Sequence, residues 1–334
     1  MVKPILSIVV VNFETPDYTL QCLRSIQANP PSCPHEIILI DNGSEDGTLE
    51  LVRAQVPGVI CIETGQNWGF AKANNLGIRN AQGKFVLLLN SDTKILDDSL
   101  DRLLRYIEKL PEVGAVGPRQ LDGEGKLQLS WGHFPTLVSE TFRKLLHHRL
   151  SFNDLRIRDY LEEKYSESTR VDWISGSCLL ARREVLLQAG LLDEHFFMYF
   201  EDIDLCRRIR DTGHEIHYHA EPTLIHYGGI SAKKNLARIF VEYRRSQIHF
   251  TRKYYGRRGE TILRILLLIK YFFNSLRWAG AHCVNLIRQS GHESSYAKLL
   301  VCKKTLELVL TADRTQSHAS VDVAKDPIFR HNLV

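Results

Sequence analysis

At 334 residues the chain can bury a substantial core, and its length admits one large domain or two smaller ones. With 44% apolar and 25% charged residues it is neither disordered nor collagen-like, and a formal charge of +4 is too small to mark a nucleic-acid binder. The seven cysteines are scattered, odd in number and form no CxxC pair, which argues against a structural zinc site and for a reducing, cytoplasmic setting.

The apolar run 5–11 is too short and too β-branched for a secretory signal core, and 6–12 reads as a buried strand. Asp17 then precedes a helix on which Leu20, Leu23 and Ile26 recur at helical spacing. A second strand at 36–41 runs into the turn-rich Asp41-Asn42-Gly43-Ser44 loop and a helix from near Thr48. Residues 59–63 read as a third strand, 71–80 as a helix and 85–90 as a fourth strand. Strands alternating with helices predict βαβ units, hence an α/β, Rossmann-like fold with a parallel sheet covered on both faces. Ligands bind such sheets beyond the carboxyl ends of the strands, where Asp41 and Asp92 fall.

The stretch 120–170 is less regular, with a helix expected at 135–150. A strand at 171–182, a helix at 201–211 and two short strands at 214–219 and 223–227 follow. From Ser231 the composition turns basic and helical. The division is therefore a catalytic domain over 1–230, a partly amphipathic basic extension over 231–310 and a weakly ordered tail over 311–334. In the extension, 262–278 is strongly apolar but broken by Arg264, Lys270 and Arg277, which suits a surface better than a bilayer span. With Lys233, Lys234, Arg244, Arg245, Arg252, Lys253, Arg257 and Arg258 nearby, it fits either docking on anionic lipid or core packing with a solvated basic face.

Asp41, at a strand end, can accept the ring N–H of uracil or thymine, or simply close a turn. Asp92, in Asn90-Ser91-Asp92, can ligate a divalent ion that bridges a diphosphate, or begin a capping turn. Glu201, Asp202 and Asp204 crowd three carboxylates into one helical turn, either as an acidic helix start or as a catalytic set. In the catalytic reading Asp202 is the general base, Glu201 orients the acceptor and Asp204 is structural. His217 and His219 alternate on a strand and are expected at the surface or just behind the site. His226, before Tyr227-Gly228-Gly229, is either a structural histidine or a metal ligand, its ring nitrogen suiting manganese better than magnesium.

Over 6–231 the ordered motifs are SIVVVNF (7–13), IDNGSEDG (40–47), NWGFAKANNLG (67–77), LLNSD (88–92), GSCLLARR (176–183), FEDIDLCRR (200–208) and IHYGG (225–229). Together they resemble family-2 glycosyltransferases, in the rhamnosyltransferase-like branch of cell-wall and surface-polysaccharide enzymes. That resemblance implies the GT-A form of the α/β fold, a dTDP- or UDP-linked nucleotide-sugar donor, and a lipid-linked or polysaccharide acceptor. It implies that Asp41 binds the pyrimidine, that Phe13 lines the base pocket, and that Asn67, Asn74 and Ser91 shape the donor site. Asp92 and His226 hold Mn2+ or Mg2+, and Asp202, assisted by Glu201, drives a single inverting displacement. Attachment to the inner face of the cell membrane is expected, and an oligomer is compatible with the sequence.

Two departures qualify it: Asn90 stands where many relatives have the first Asp of Asp-x-Asp, and Arg277-Trp278 lacks the glutamine of the processive synthases. The second points to transfer of single sugars. No GxGxxG or GxxxxGK[ST] supports an oxidoreductase or a P-loop NTPase, and Asn12-Phe13-Glu14-Thr15-Pro16 is not the basic phosphate loop of a pyrophosphorylase. A glycosidase needs two carboxylates but no nucleotide pocket. The alternative from another class is a non-catalytic membrane-associated assembly factor on a transferase fold. Such a protein is expected to have lost the site carboxylates, whereas Asp41, Asp92 and Asp202 all stand. No nucleic-acid-binding motif accompanies the basic tail.

Overall fold

The computed structural model describes residues 2–136, 155–229, 236–287 and 292–311. The helix expected at 135–150 lies outside them beyond Thr136, as does the tail beyond Thr311.

Strand β1 (Leu6–Asn12) is a continuous β-branched run because it is buried on both faces and paired on both edges. Parallel β2 (His35–Asp41) and β4 (Phe85–Asn90) flank it, and β3 (Ile60–Glu63) extends the sheet beyond β2. Helix α1 (Pro16–Ala28) opens with proline in its first turn, where the missing N–H costs nothing, and buries Cys22, Leu23 and Ile26. α2 (Thr48–Gln55) and α3 (Phe70–Asn80) complete the crossovers. α3 approaches β1 so closely at Gly77 that a Cβ there would lie 2.2 Å from a methyl of Val9.

Beyond β4 the sheet is mixed, not wholly parallel. The order is β3-β2-β1-β4-β10-β6-β11-β5, with β8 also paired to β11. Here β5 is Thr93–Ile95, β6 is Val113–Leu121, β8 is Thr169–Val171, β10 is Cys178–Arg182 and β11 is Glu215–His226. β10 runs antiparallel to both β4 and β6, and β5 antiparallel to β11. The span 171–182 is thus not one strand. It is the end of β8, the short β9 (Trp173–Ile174), the Ser175-Gly176-Ser177 turn and β10, with β9 pairing β7 (Trp131–Gly132). Conversely, 214–219 and 223–227 fuse into the single β11, whose pairing with β6 shifts register between His219 and Thr223. Pro222, lacking an N–H, lies within that shift. Helices α4 (Ser99–Lys109), α5 (Leu155–Lys164), α6 (Arg183–Gln188) and α7 (Glu201–Asp211) cover this half.

The described residues form two compact units. One holds the residues up to Glu194 and from Glu201 to the end of β11; the other holds His195–Phe200 and the helices after β11. In the second unit α8 (Leu236–Ile287) kinks at Gly256, which has φ +65°, and packs Leu263, Leu267 and Tyr271 with Cys302 and Val309 of α9 (His292–Leu310). Phe200 rests on Tyr243 and Phe250, with ring centroids 5.4 Å apart in each pair. That packing holds Tyr199 and Phe200 in left-handed conformations (φ +68° and +69°) that cost non-glycine residues about 1–2 kcal/mol each. Among the described residues no helix is long and apolar enough to cross a membrane.

Candidate active site

The sheet register assembles the site at the carboxyl edge of the strands. Asn12 and Asp41, the last residues of β1 and β2, are register partners, and Asn12 Nδ2 donates to Asp41 Oδ1 at 2.8 Å. The other Asp41 oxygen accepts the Ser44 N–H at 3.0 Å, so the carboxylate closes a turn. With one hydrogen bond on each oxygen, it keeps acceptor capacity for a ring N–H. Asn12 is the hub here. Its Oδ1 accepts from the Thr15 and Thr19 hydroxyls at 2.8 and 2.7 Å, and Thr15 Oγ1 lies 3.2 Å from Ser91 Oγ. A buried chain of hydrogen bonds therefore runs from Asp41 to the residue before Asp92.

Asn42 ties this loop to the next: its Nδ2 donates to Asn67 Oδ1 at 3.1 Å and to the Gly69 carbonyl at 3.2 Å. Asn67 thus acts through loop shape. Phe13 is half-buried directly after Asn12, and Asn74 is buried on α3.

The second half forms because antiparallel β5 and β11 pair His226 with Thr93, and Tyr227 N–H donates to the Asp92 carbonyl at 2.9 Å. His226 Nε2 then lies 3.3 Å from Asp92 Oδ1 and 3.3 Å from Asn90 Nδ2. Gln128 grips the histidine from behind, its Oε1 2.9 Å from Nδ1 and its Nε2 donating to the His226 carbonyl at 2.7 Å. A proton on Nδ1 satisfies Gln128 and leaves the Nε2 lone pair facing Asp92. Cis ligands of an octahedral ion with bonds near 2.1 Å sit roughly 3 Å apart, which the Asp92–His226 pair approaches. The buried Asn90 Oδ1 has no partner within the protein among the described residues. A carboxylate, an imidazole and an orphaned amide oxygen thus fit a divalent cation.

On the same edge, β10 runs back along β4, so Asn90 N–H donates to the Ser177 carbonyl at 2.9 Å, beside Gly176. Gly176 N–H donates to Asp202 Oδ2 at 3.0 Å, and the Ile203 N–H to Oδ1 at 2.8 Å. A Cβ on Gly176 would come within 3.3 Å of Asp202 Cβ and 3.2 Å of the Phe70 ring, so this approach favours glycine. Asp204 is fully buried against Arg208, whose Nε donates to it at 2.8 Å; it is structural. Glu201 is 5% exposed, and burial, with the Asp202 charge second, pushes its carboxyl well above the usual range. Its Oε2 has no partner among the described residues, nor have the buried Asn74 Oδ1 and Trp68 Nε1. A buried polar atom without a protein partner, such as Asn90 Oδ1 or Glu201 Oε2, is one that a polar ligand can satisfy.

His217 and His219 are neither on the surface nor at this site. Tyr106 takes both, donating to or accepting from His217 Nδ1 at 2.9 Å and stacking on the buried His219 at 4.2 Å. Burial lowers the His219 pKa. Cys22, Cys178 and Cys206 are buried thiols, Cys22 pushed up to about 12 by that burial, and they supply no nucleophile here.

The family model for glycosyl transferase family 2 matches residues 7–188, more than half of the chain. The chain belongs to glycosyl transferase family 2. As a family-2 glycosyltransferase it is a nucleotide-sugar-dependent transferase. It is 31% identical over 229 residues to the N-acetylglucosaminyl-diphospho-decaprenol L-rhamnosyltransferase of Mycobacterium tuberculosis (strain H37Rv), covering 65% of this chain and 74% of that one. To rhamnosyltransferase WbbL of Escherichia coli K12 it is 26% identical over 251 residues, 73% of this chain and 91% of that one. A mannosyltransferase of Pyrobaculum calidifontis, solved with GDP-Man and Mn2+, superposes with a TM-score of 0.49 at 16% identity, covering 91% of this chain and 88% of that one. The assignment rests on the sequence match.

Residues that the sequence reading missed in this family-2 site are Asn12, Asn42, Gln128 and Gly176. Gln128 has the largest expected consequence. Gln128→Ala should weaken Mn2+ binding by about 10–100-fold, as loss of a partner behind a metal-bound histidine does elsewhere. Isothermal titration of Mn2+ checks this, and unchanged affinity would detach Gln128 from the metal site. Glu201 yields a second expectation. Its folded pKa exceeds the unfolded one, so its contribution to stability is full below the ordinary glutamate range and is lost as pH rises through the folded value. Glu201→Gln should therefore gain stability over the parent as pH rises from about 4.5, by up to about 1.4 kcal/mol per pH unit. Urea midpoints across pH 4.5–8 read that slope, and a flat difference would mean that Glu201 ionises normally in the fold.

Proposed function

We propose that this chain transfers a single sugar, rhamnose, from a dTDP- or UDP-linked donor to a lipid-linked diphospho-sugar acceptor, with inversion. The observation that carries the reading is the carboxyl edge itself. Asp202, held by the Gly176 N–H, follows in one hydrogen-bonded run from Ser177 and Asn90 to the Asp92–His226 pair. The rhamnosyl donor and lipid-diphosphate acceptor are suggested by what the mycobacterial relative is named for.

In this mechanism Asp41 accepts the pyrimidine ring N–H, Phe13 packs on the base, and Asn67, Asn74 and Ser91 border the sugar and diphosphate. Asp92 and His226 hold Mn2+ or Mg2+, with the Asn90 amide oxygen available beside them. A divalent ion held there would supply positive charge to offset what develops on the leaving diphosphate. Asp202 removes the proton from the acceptor hydroxyl as its oxygen attacks the anomeric carbon. The bond from that carbon to the diphosphate breaks on the opposite face, and its electron pair leaves with the nucleotide. Glu201, whose carboxyl burial pushes toward the neutral form, orients the acceptor.

The test is transfer from dTDP-rhamnose, UDP-glucose and UDP-N-acetylglucosamine to a short-chain polyprenyl-diphospho-N-acetylglucosamine, read by mass spectrometry. A product heavier by one deoxyhexose residue from dTDP-rhamnose supports the reading. Transfer from a UDP-sugar alone would replace the donor, and no transfer from any of the three would overturn this donor and acceptor pairing.

A further inference from the structure

After the Gly256 kink, α8 is apolar on two faces, and the described residues of its own unit pack against only one. Leu263, Leu267 and Tyr271 point into the α9 contact and are at most 6% exposed. On the other side Ile262, Ile265, Ile269, Phe272, Phe273 and Leu276 are each at least half exposed, Phe273 reaching 63%. Their spacing of three and four residues places them in one stripe, within an arc of roughly 120° at 3.6 residues per turn. Monomeric soluble proteins rarely leave so large a contiguous apolar face in water.

Charge says what covers it. Arg257 and Arg258 are exposed at the start of this half-helix, and Lys270 and Arg277 are exposed along one border of the stripe. Over 257–287 the acidic residue is Glu260, which is buried and ion-paired to Arg264 at 2.8 Å. The face is therefore apolar and cationic with no exposed carboxylate. Two copies meeting through it would set like charges together, which opposes self-association. An anionic bilayer suits both features: the side chains enter the acyl boundary while Lys270 and Arg277 reach up to lipid phosphates on their long stems.

We propose that the Ile262–Leu276 stripe is a docking face for an anionic lipid surface, with the helix lying in the interface plane. The proposal rests on the transferase reading only for its purpose, access to a lipid-linked acceptor. Its test uses no substrate, so failure of either reading is distinguishable from failure of the other.

The experiment is co-sedimentation of the full chain with vesicles of phosphatidylcholine alone and of phosphatidylcholine with 30% phosphatidylglycerol. Binding is expected to the anionic vesicles and to be at least about tenfold weaker to the neutral ones, with loss on adding salt. Phe272→Ser with Phe273→Ser should lower binding to anionic vesicles at least about tenfold. Lys270→Glu with Arg277→Glu should do the same and leave the weak neutral-vesicle binding unchanged. All four positions are exposed, so an unchanged thermal midpoint accompanies each result. Equal binding by the parent and both variants, or no vesicle binding by the parent, overturns the proposal. So does a concentration-dependent dimer abolished by the phenylalanine pair without any effect on vesicles. Uncovering of the stripe only on truncation after Thr311 would assign it to the chain's own C-terminal segment and equally overturn it.

Discussion

Asp202→Asn is expected to lower the transfer rate by about 10²–10⁴-fold, the usual contribution of a general base, and to leave nucleotide affinity within about twofold. The amide keeps the shape of the side chain and one of its two acceptors, for Gly176 N–H or for Ile203 N–H. The lost contact costs about 1–3 kcal/mol at most, so a thermal midpoint separates a stability loss from a loss of chemistry. The split matters because Asp204, two residues on, is a buried ion-pair carboxylate whose removal should act through folding. A Asp202→Asn enzyme with near-normal turnover would remove Asp202 from the mechanism.

Asp92→Ala should lower Mn2+ affinity by at least about 100-fold, the upper end of what loss of a partner behind a ligand costs, and make nucleotide binding insensitive to the metal. The main chain should survive the change, since Asp92 contributes its carbonyl, not its side chain, to the contact with Tyr227. Electron paramagnetic resonance of free Mn2+ measures the affinity directly, without turnover. Undiminished binding would place the ion elsewhere and leave the Asp92–His226 approach as a structural ion pair. This variant and Gln128→Ala test one arrangement from two sides, the first removing a ligand and the second freeing the ring that carries the other.

The four parallel strands and their crossovers were legible because each is a short apolar run between helical periods. β6 was not. Its sequence VGAVGPRQL has no clean alternation, and its two glycines answer to packing that only the folded chain reveals. A Cβ at Gly114 would lie 2.7 Å from Ile209, and one at Gly117 would lie 3.1 Å from Ile174. Without β6 the link that joins β10 to β11 was not visible, and the mixed half of the sheet went unread. The same gap hid Gln128, which sits just after β6 in a stretch with no periodic signal yet reaches His226 across 98 residues of chain. Asp41, Asp92 and His226 could be singled out because carboxylates and histidines at or just past the ends of strands are costly without a purpose, and Asp202 because three carboxylates crowd one helical turn. Gly176 and Asn12 carry no such mark, since their work is a backbone N–H and a hub of hydrogen bonds that depend on register.

The central claim is that this carboxyl edge binds a nucleotide diphosphate through a metal, and calorimetric titration with dTDP and UDP, each with and without Mn2+, tests it most directly. The account predicts that one nucleotide binds, that Mn2+ strengthens it, and that Asp41→Ala weakens it while Asp202→Asn does not. A folded protein that binds neither nucleotide, with or without Mn2+, would contradict it.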